Sequence, residues 1–143
     1  MDKIYVIYWS QSGNTQAMAE AIGQGITEGG KEAEVLHVGN ASVDVLKDVK
    51  AFALGCPAMG AEVLEEVEME PFVTETEGIA AGKTIALFGS YGWGDGQWMR
   101  DWEERMSGAG AAVLNGEGLT CNEAPDDDTL AECRAVGKQL AGI

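Results

Sequence analysis

Four short, mostly apolar runs constrain this chain most. They are residues 3–9 (KIYVIYW), 33–38 (AEVLHV), 51–56 (AFALGC) and 84–89 (TIALFG). A strand wetted on one face alternates apolar and polar residues, whereas a largely unbroken apolar run is buried on both faces. Between these runs the spacing changes to helical. Within 16–27, Ala17, Met18, Ala21, Ile22, Gly25 and Ile26 share one stripe, and Gly29 and Gly30 end it. Residues 97–108 put Trp98, Trp102 and Met106 on one face, and 126–140 turn Leu130, Cys133, Val136, Gly137 and Leu140 inward. A short helix at 43–46 and a weaker one at 71–77 complete the helical set. Residues 112–114 and 119–121 predict a fifth strand with an interruption. Doubly buried strands alternating with helices predict an α/β fold, a parallel sheet with helices on both faces. At 143 residues, with no repeat and no linker, the whole of 1–143 is expected to form one domain.

Charge narrows the partners. Lys and Arg total 9 against 24 Asp and Glu, a net charge of −15. A nucleic-acid partner would require a basic face, so that class is excluded. An acidic surface serves solubility or steering toward a basic protein. Cys56, Cys121 and Cys133 are odd in number and contain no CxxC, and His37 is the single histidine. Neither a disulfide framework nor a metal site is expected, and free thiols in a reducing, cytoplasmic setting are. The N-terminal residues lack the pattern of a secretion signal, and no apolar run approaches the ~20 residues of a membrane span.

In open α/β sheets ligands bind outside the carboxyl ends of the strands. Three loops at such ends carry chemistry. The first is SQSGNT: Ser10, Gln11, Ser12, Gly13, Asn14 and Thr15. It offers hydroxyl donors, a glycine that lets backbone approach a ligand, and the positive end of the following helix, which together suit a phosphate. It matches neither GxxxxGK[ST] nor GxGxxG, and by itself also reads as a capped turn. The second, CPAMGAE at 56–62, sets Met59 and Gly60 beside Glu62; alone it reads as a surface turn. The third is GSYGWGDG at 89–96. Tyr91 and Trp93 lie among four glycines, an arrangement suited to covering a planar ligand. Asp95 is expected to cap the next helix. Together the three loops describe a site for a phosphorylated, planar heteroaromatic molecule.

With these segments in view, the chain resembles the short-chain flavodoxins of anaerobic bacteria. The match is carried by YWSQSGNT (8–15), LGCPAMGAE (54–62), LFGSYGWGDGQWMRDWEERM (87–106) and NEAPD (122–126), and spans nearly the whole chain. The resemblance implies a flavodoxin-like three-layer sandwich, with a five-stranded parallel sheet in the order 2-1-3-4-5 and FMN at the switch point. It implies that residues 10–15 hold the FMN phosphate. Ala58, Met59, Gly60, Ala61 and Glu62 would line one face and edge of the ring, with Glu62 accepting from the ring N3–H. Ser90, Tyr91, Gly92, Trp93 and Gly94 would form the other wall, with Trp93 stacked on the ring, and Asn122 and Glu123 would lie nearby. Gln11, Pro57 and Ala61 depart from the commonest pattern, and Ala61 is the one expected to alter redox tuning.

The resemblance also implies a low-potential, one-electron carrier that docks transiently on basic-surfaced redox proteins and works as a monomer. The peptide at Met59–Gly60 would turn a carbonyl toward the flavin N5 once that atom is protonated. Two other classes compete. One is an FMN reductase of the same fold acting on quinones; a ring covered by Trp93 and the lack of a nicotinamide domain argue against it. The other is a signalling module, which would need acidic residues where Tyr8, Trp9 and Ser10 stand.

Overall fold

The computed structural model describes residues 3–143. Four strands, β1 (Lys3–Tyr8), β2 (Glu32–His37), β3 (Ala51–Gly55) and β4 (Thr84–Tyr91), are interleaved with α1 (Asn14–Glu28), α2 (Met69–Glu77) and α3 (Gln97–Gly108), and α4 (Asp127–Ala141) closes the chain. The fifth strand comes in two pieces. β5 (Ala112–Val113) pairs with the start of β4 and β6 (Leu119–Asn122) with its end. A 3₁₀ turn holding Asn115 at φ 64° steps off the sheet edge between them, which is the interruption expected from the sequence. Every strand pairing is parallel, and the order is 2-1-3-4-5.

The unbroken apolar runs are explained by two cores. Ile7, Phe52, Leu54, Ile85 and Leu87 pack under Met69, Phe72 and Val73 of α2 and Trp98, Trp102 and Met106 of α3. On the other face Ile4, Val6, Ala53, Ala86 and Phe88 pack under Met18, Ile22 and Ile26 of α1 and Cys133, Val136 and Leu140 of α4. Each fully buried large side chain contributes about 1.5–3 kcal/mol by leaving water, so the double coverage supplies the main stabilisation of the sheet.

Boundaries move by a residue or two. Trp9 lies just past β1, although its N–H still donates to the Gly55 carbonyl (3.0 Å). α1 starts two residues earlier than the apolar stripe. α2 also starts earlier, at Met69, because Pro71 sits in its first turn, where a missing N–H is tolerated. β4 extends to Tyr91 because Ser90 and Tyr91 find partners in Cys121 and Asn122.

Candidate functional site

The functional loops all leave the carboxyl end of the sheet, after β1, β3, β4 and β6. Their positions follow from helix ends that lack ordinary caps. α1 starts at Gly13, which is left-handed (φ 95°) and has no side-chain cap. The loop ahead of it is shaped by its own hydroxyls. Ser10 Oγ accepts from the N–H groups of Gly13 (3.2 Å) and Gln16 (3.3 Å), and Ser12 Oγ accepts from that of Asn14 (3.4 Å). A hydroxyl that accepts keeps its own proton to donate. The result is a ring of neutral donors around the positive end of a 15-residue helix.

Thr15 ties this loop to the next one. Its buried Oγ1 lies 3.1 Å from Ser90 Oγ and accepts from the Ser90 N–H at 3.4 Å. A cavity of about 250 Å³ opens beside that junction. Gln11, Ser12 and Asn14 line it from the first loop, and Pro57, Ala58 and Met59 from the second. Ser90, Tyr91, Gly92 and Glu123 complete it.

The residues after β3 form a small hairpin. Met59 and Val63 exchange backbone hydrogen bonds at 2.9 and 3.0 Å across a tip of Gly60, Ala61 and Glu62. Gly60 (φ 46°) and Glu62 (φ 57°) are both left-handed. Glu123, on the cavity's far side, is left-handed as well (φ 59°) and donates its N–H to the Tyr91 carbonyl at 2.7 Å. Non-glycine residues held there carry backbone strain of order 1–3 kcal/mol, which concentrates at ligand sites.

The third loop divides its two aromatic residues. Tyr91 is half-buried and packs on Trp98, ring centroids 5.6 Å apart. Trp98 in turn donates its indole N–H to the Cys56 carbonyl (3.0 Å). Trp93 is 64% exposed, has no ring partner among the described residues and is not among the residues that line the cavity. Asn122 donates its side-chain amide to the Tyr91 carbonyl at 3.4 Å, which fixes this loop from the β6 side.

Two expectations about carboxylates change. Asp95 does not cap α3, because Arg100 bonds both its carboxylate and its carbonyl, each at 3.0 Å. The α3 N-terminus is met instead by Glu62, whose Oε1 accepts from the Gln97 N–H at 3.1 Å. The resemblance implies only a place at the ring edge for Glu62. Glu65 had no sequence-based role, yet it is 7% exposed and accepts from the N–H groups of Val67, Glu68 and Met69 at 2.9, 2.7 and 3.0 Å. Burial pushes its pKa up, but the three N–H groups outweigh burial and leave it below the usual carboxylate value. An acid just ahead of a helix start was the available signal, hidden because the start was placed two residues late.

Cys56 lies inside the core behind the second loop. It is fully buried, and burial pushes its thiol pKa up to about 12. Among the described residues no group of three or more His, Cys, Asp or Glu could hold a metal ion.

Fold and site together define an open α/β protein that anchors a phosphorylated planar cofactor at its strand ends. The flavodoxin family model matches residues 6–137. A flavodoxin of Clostridium beijerinckii is 48% identical over 96% of this chain and 99% of its own length. The solution structure of two-electron-reduced Megasphaera elsdenii flavodoxin superposes with a TM-score of 0.89 at 38% identity, covering 98% of this chain and 99% of that one. A flavodoxin structure from the domain Archaea gives a TM-score of 0.87 at 34% identity, covering 99% and 97%. The chain belongs to the flavodoxin family, and is therefore an FMN-dependent electron carrier rather than an enzyme.

Proposed function

We propose that this carrier seats FMN in the cavity between residues 10–15, 57–62 and 90–94, and passes single electrons at low potential to basic-surfaced redox proteins. The observation that supports it is the convergence of three loops on one cavity beside the N-terminus of α1, whose N-cap residue, Gly13, has no side chain. The residues fit the cofactor. Backbone N–H groups of α1 and the hydroxyls of Ser10, Ser12 and Thr15 are suited to the phosphate, and Met59 and Trp93 supply apolar faces for the ring. Glu62, Asn122 and Glu123 border the ring edge. The flavin, once bound, supplies one-electron chemistry; the chain's part is to bind it, exclude water and set its potential.

Low potential follows from electrostatics. The anionic form of a reduced ring faces a chain of net charge −15. One carboxylate ~10 Å away adds about 1.7 kcal/mol of repulsion at an effective ε of 20 and about 0.4 in water. Several together favour release of the electron. A second one-electron midpoint potential equal to that of free FMN would remove this reading.

Transient docking on a basic rim accords with the same charge, and monomeric working in a reducing, cytoplasmic compartment accords with three buried, unpaired cysteines. No helix among the described residues is long and apolar enough to cross a membrane. The phosphate seat is tested by comparing FMN with riboflavin. Two charge-assisted hydrogen bonds at about 1.5 kcal/mol each come to about a hundredfold in affinity, so riboflavin should bind at least that much more weakly. Equal affinities would overturn the seat.

A further inference from the structure

Glu62 stands at a place where three local features need one another. α3 starts from Gly96, which is left-handed (φ 89°), has no side chain to cap with, and is followed by no acidic residue in the first turn. The nearby carboxylate that would serve, Asp95, is held by Arg100. The exposed N–H of Gln97 is met from another loop, by Glu62 Oε1. Glu62 reaches it from a strained left-handed backbone at the end of the Met59–Val63 hairpin. Gly94 (φ 91°) completes the fit: a Cβ there would fall 2.6 Å from the Glu62 carboxyl carbon and Oε1. A side chain at Gly94 would therefore push the Glu62 carboxylate from its place, as well as being strained at that φ.

We infer that Glu62 is a positioning residue that clamps the two walls of the ring seat together. One wall is the hairpin carrying Met59, and the other is the 90–96 segment carrying Trp93. Capping α3 from the hairpin sets the distance between them. Its Oε1 is engaged with Gln97, while Oε2 makes no hydrogen bond among the described residues. One carboxylate can then serve the helix through one oxygen and the flavin edge through the other. The inference rests on the FMN seat proposed above for its consequence; the clamp itself is a contact within the chain.

The two parts are separable by experiment. In FMN-stripped protein, amide hydrogen exchange is measured for the wild type, Glu62→Gln, Glu62→Ala and Gly94→Ala. A helix cap is worth enough that Glu62→Ala should speed exchange at Gln97 about tenfold, with residues 92–96 following. Amides in β1 and β3 should keep their rates, which a general loss of stability would not allow. Glu62→Gln keeps an acceptor oxygen and should restore most of the protection. Gly94→Ala, with Glu62 intact, should resemble Glu62→Ala.

In the FMN-bound protein the dissociation rate is measured for both single variants and the double variant. Gly94→Ala also strains its own left-handed backbone, so only the share of its effect that passes through Glu62 is lost in the double variant; that variant should release FMN more slowly than the two single effects added together predict. Unchanged exchange at Gln97 in stripped Glu62→Ala, or additive dissociation effects, would overturn the clamp. If Glu62→Ala does not fold without FMN, exchange at Gln97 in Glu62→Gln and Gly94→Ala decides. If FMN and riboflavin bind equally, the phosphate seat fails while the exchange result stands.

Discussion

At Gly60 the backbone stands at φ 46°, and a Cβ placed there would meet nothing within 4 Å. Substitution by alanine is therefore a test of backbone freedom alone, free of steric conflict. A side chain in the left-handed region costs roughly 1–2 kcal/mol. If a turn of the Met59–Gly60 peptide sets the potentials, Gly60→Ala should narrow the separation of the two one-electron midpoints by roughly 40–90 mV. A spectroelectrochemical titration reads that separation directly, and an unchanged value would leave the hairpin with no tuning role. Glu65 offers a second residue-scale test. Its folded-state pKa is lowered, so its stabilisation is present above the unfolded carboxylate pKa of about 4.3 and is lost as pH falls through the lower folded value. Glu65→Gln should destabilise the protein by about 1–3 kcal/mol at neutral pH. The deficit should shrink below about pH 4, measured by urea unfolding of FMN-stripped protein. A deficit independent of pH would mean that the charge contributes nothing.

Among elements, α1 and α4 show how little space the architecture leaves. A Cβ on Gly25 would overlap the backbone carbonyl of Arg134, and one on Gly137 that of Ile22. The two helices meet backbone to backbone. Gly25→Ala gains about 0.8–1 kcal/mol in helix propensity but forces apart a packed pair at about 1–3 kcal/mol, so stability should fall. Gly108, at the end of α3, has open space and no positive φ, so Gly108→Ala should be neutral or slightly stabilising. In thermal unfolding Gly25→Ala should fall while Gly108→Ala holds or rises if close approach governs; two upward shifts would assign the effect to propensity. Element type and order were legible because burial on both faces writes itself into unbroken apolar runs. Gly25 and Gly137 also read correctly as inward, since helical spacing is local information. The α3 cap was not legible. Asp95 satisfies the local rule for a cap, but Arg100, five residues on, competes for it, and Glu62 lies 35 positions from Gln97. The direction of Glu62 depends on a hairpin whose left-handed residues no propensity announces. The sequence placed Thr15 and Ser90 in separate loops; their mutual hydrogen bond, across 75 positions, was not legible.

For the whole molecule, the strand-leading lysines gather at one end of the parallel sheet. Lys3 opens β1, and Lys31, Lys50 and Lys83 stand one residue ahead of β2, β3 and β4. All four lie at the amino end of the sheet. The loops at the carboxyl end, around the proposed FMN seat, carry Glu62, Glu65, Glu66 and Glu68 after β3, Asp95 after β4, and Glu123 and Asp126 after β6. A strand the length of β4, 8 residues, spans about 26 Å. That is about three screening lengths at ~0.15 M salt, where the Debye length is ~8 Å. A basic partner at physiological salt therefore feels the end it approaches more than the net charge of −15. Neutralising Glu66 and Glu68 to glutamine should lower the association rate with a basic redox partner and flatten its dependence on ionic strength. Lys50→Gln, at the far end, should leave the rate at ~0.15 M unchanged and alter it only near ~0.01 M, where the Debye length reaches ~30 Å. Stopped-flow electron transfer across that salt range separates the two. If Lys50→Gln moved the rate at ~0.15 M as much as the glutamate changes do, the partner would be responding to the total charge, and the acidic rim around the seat would have no directing role.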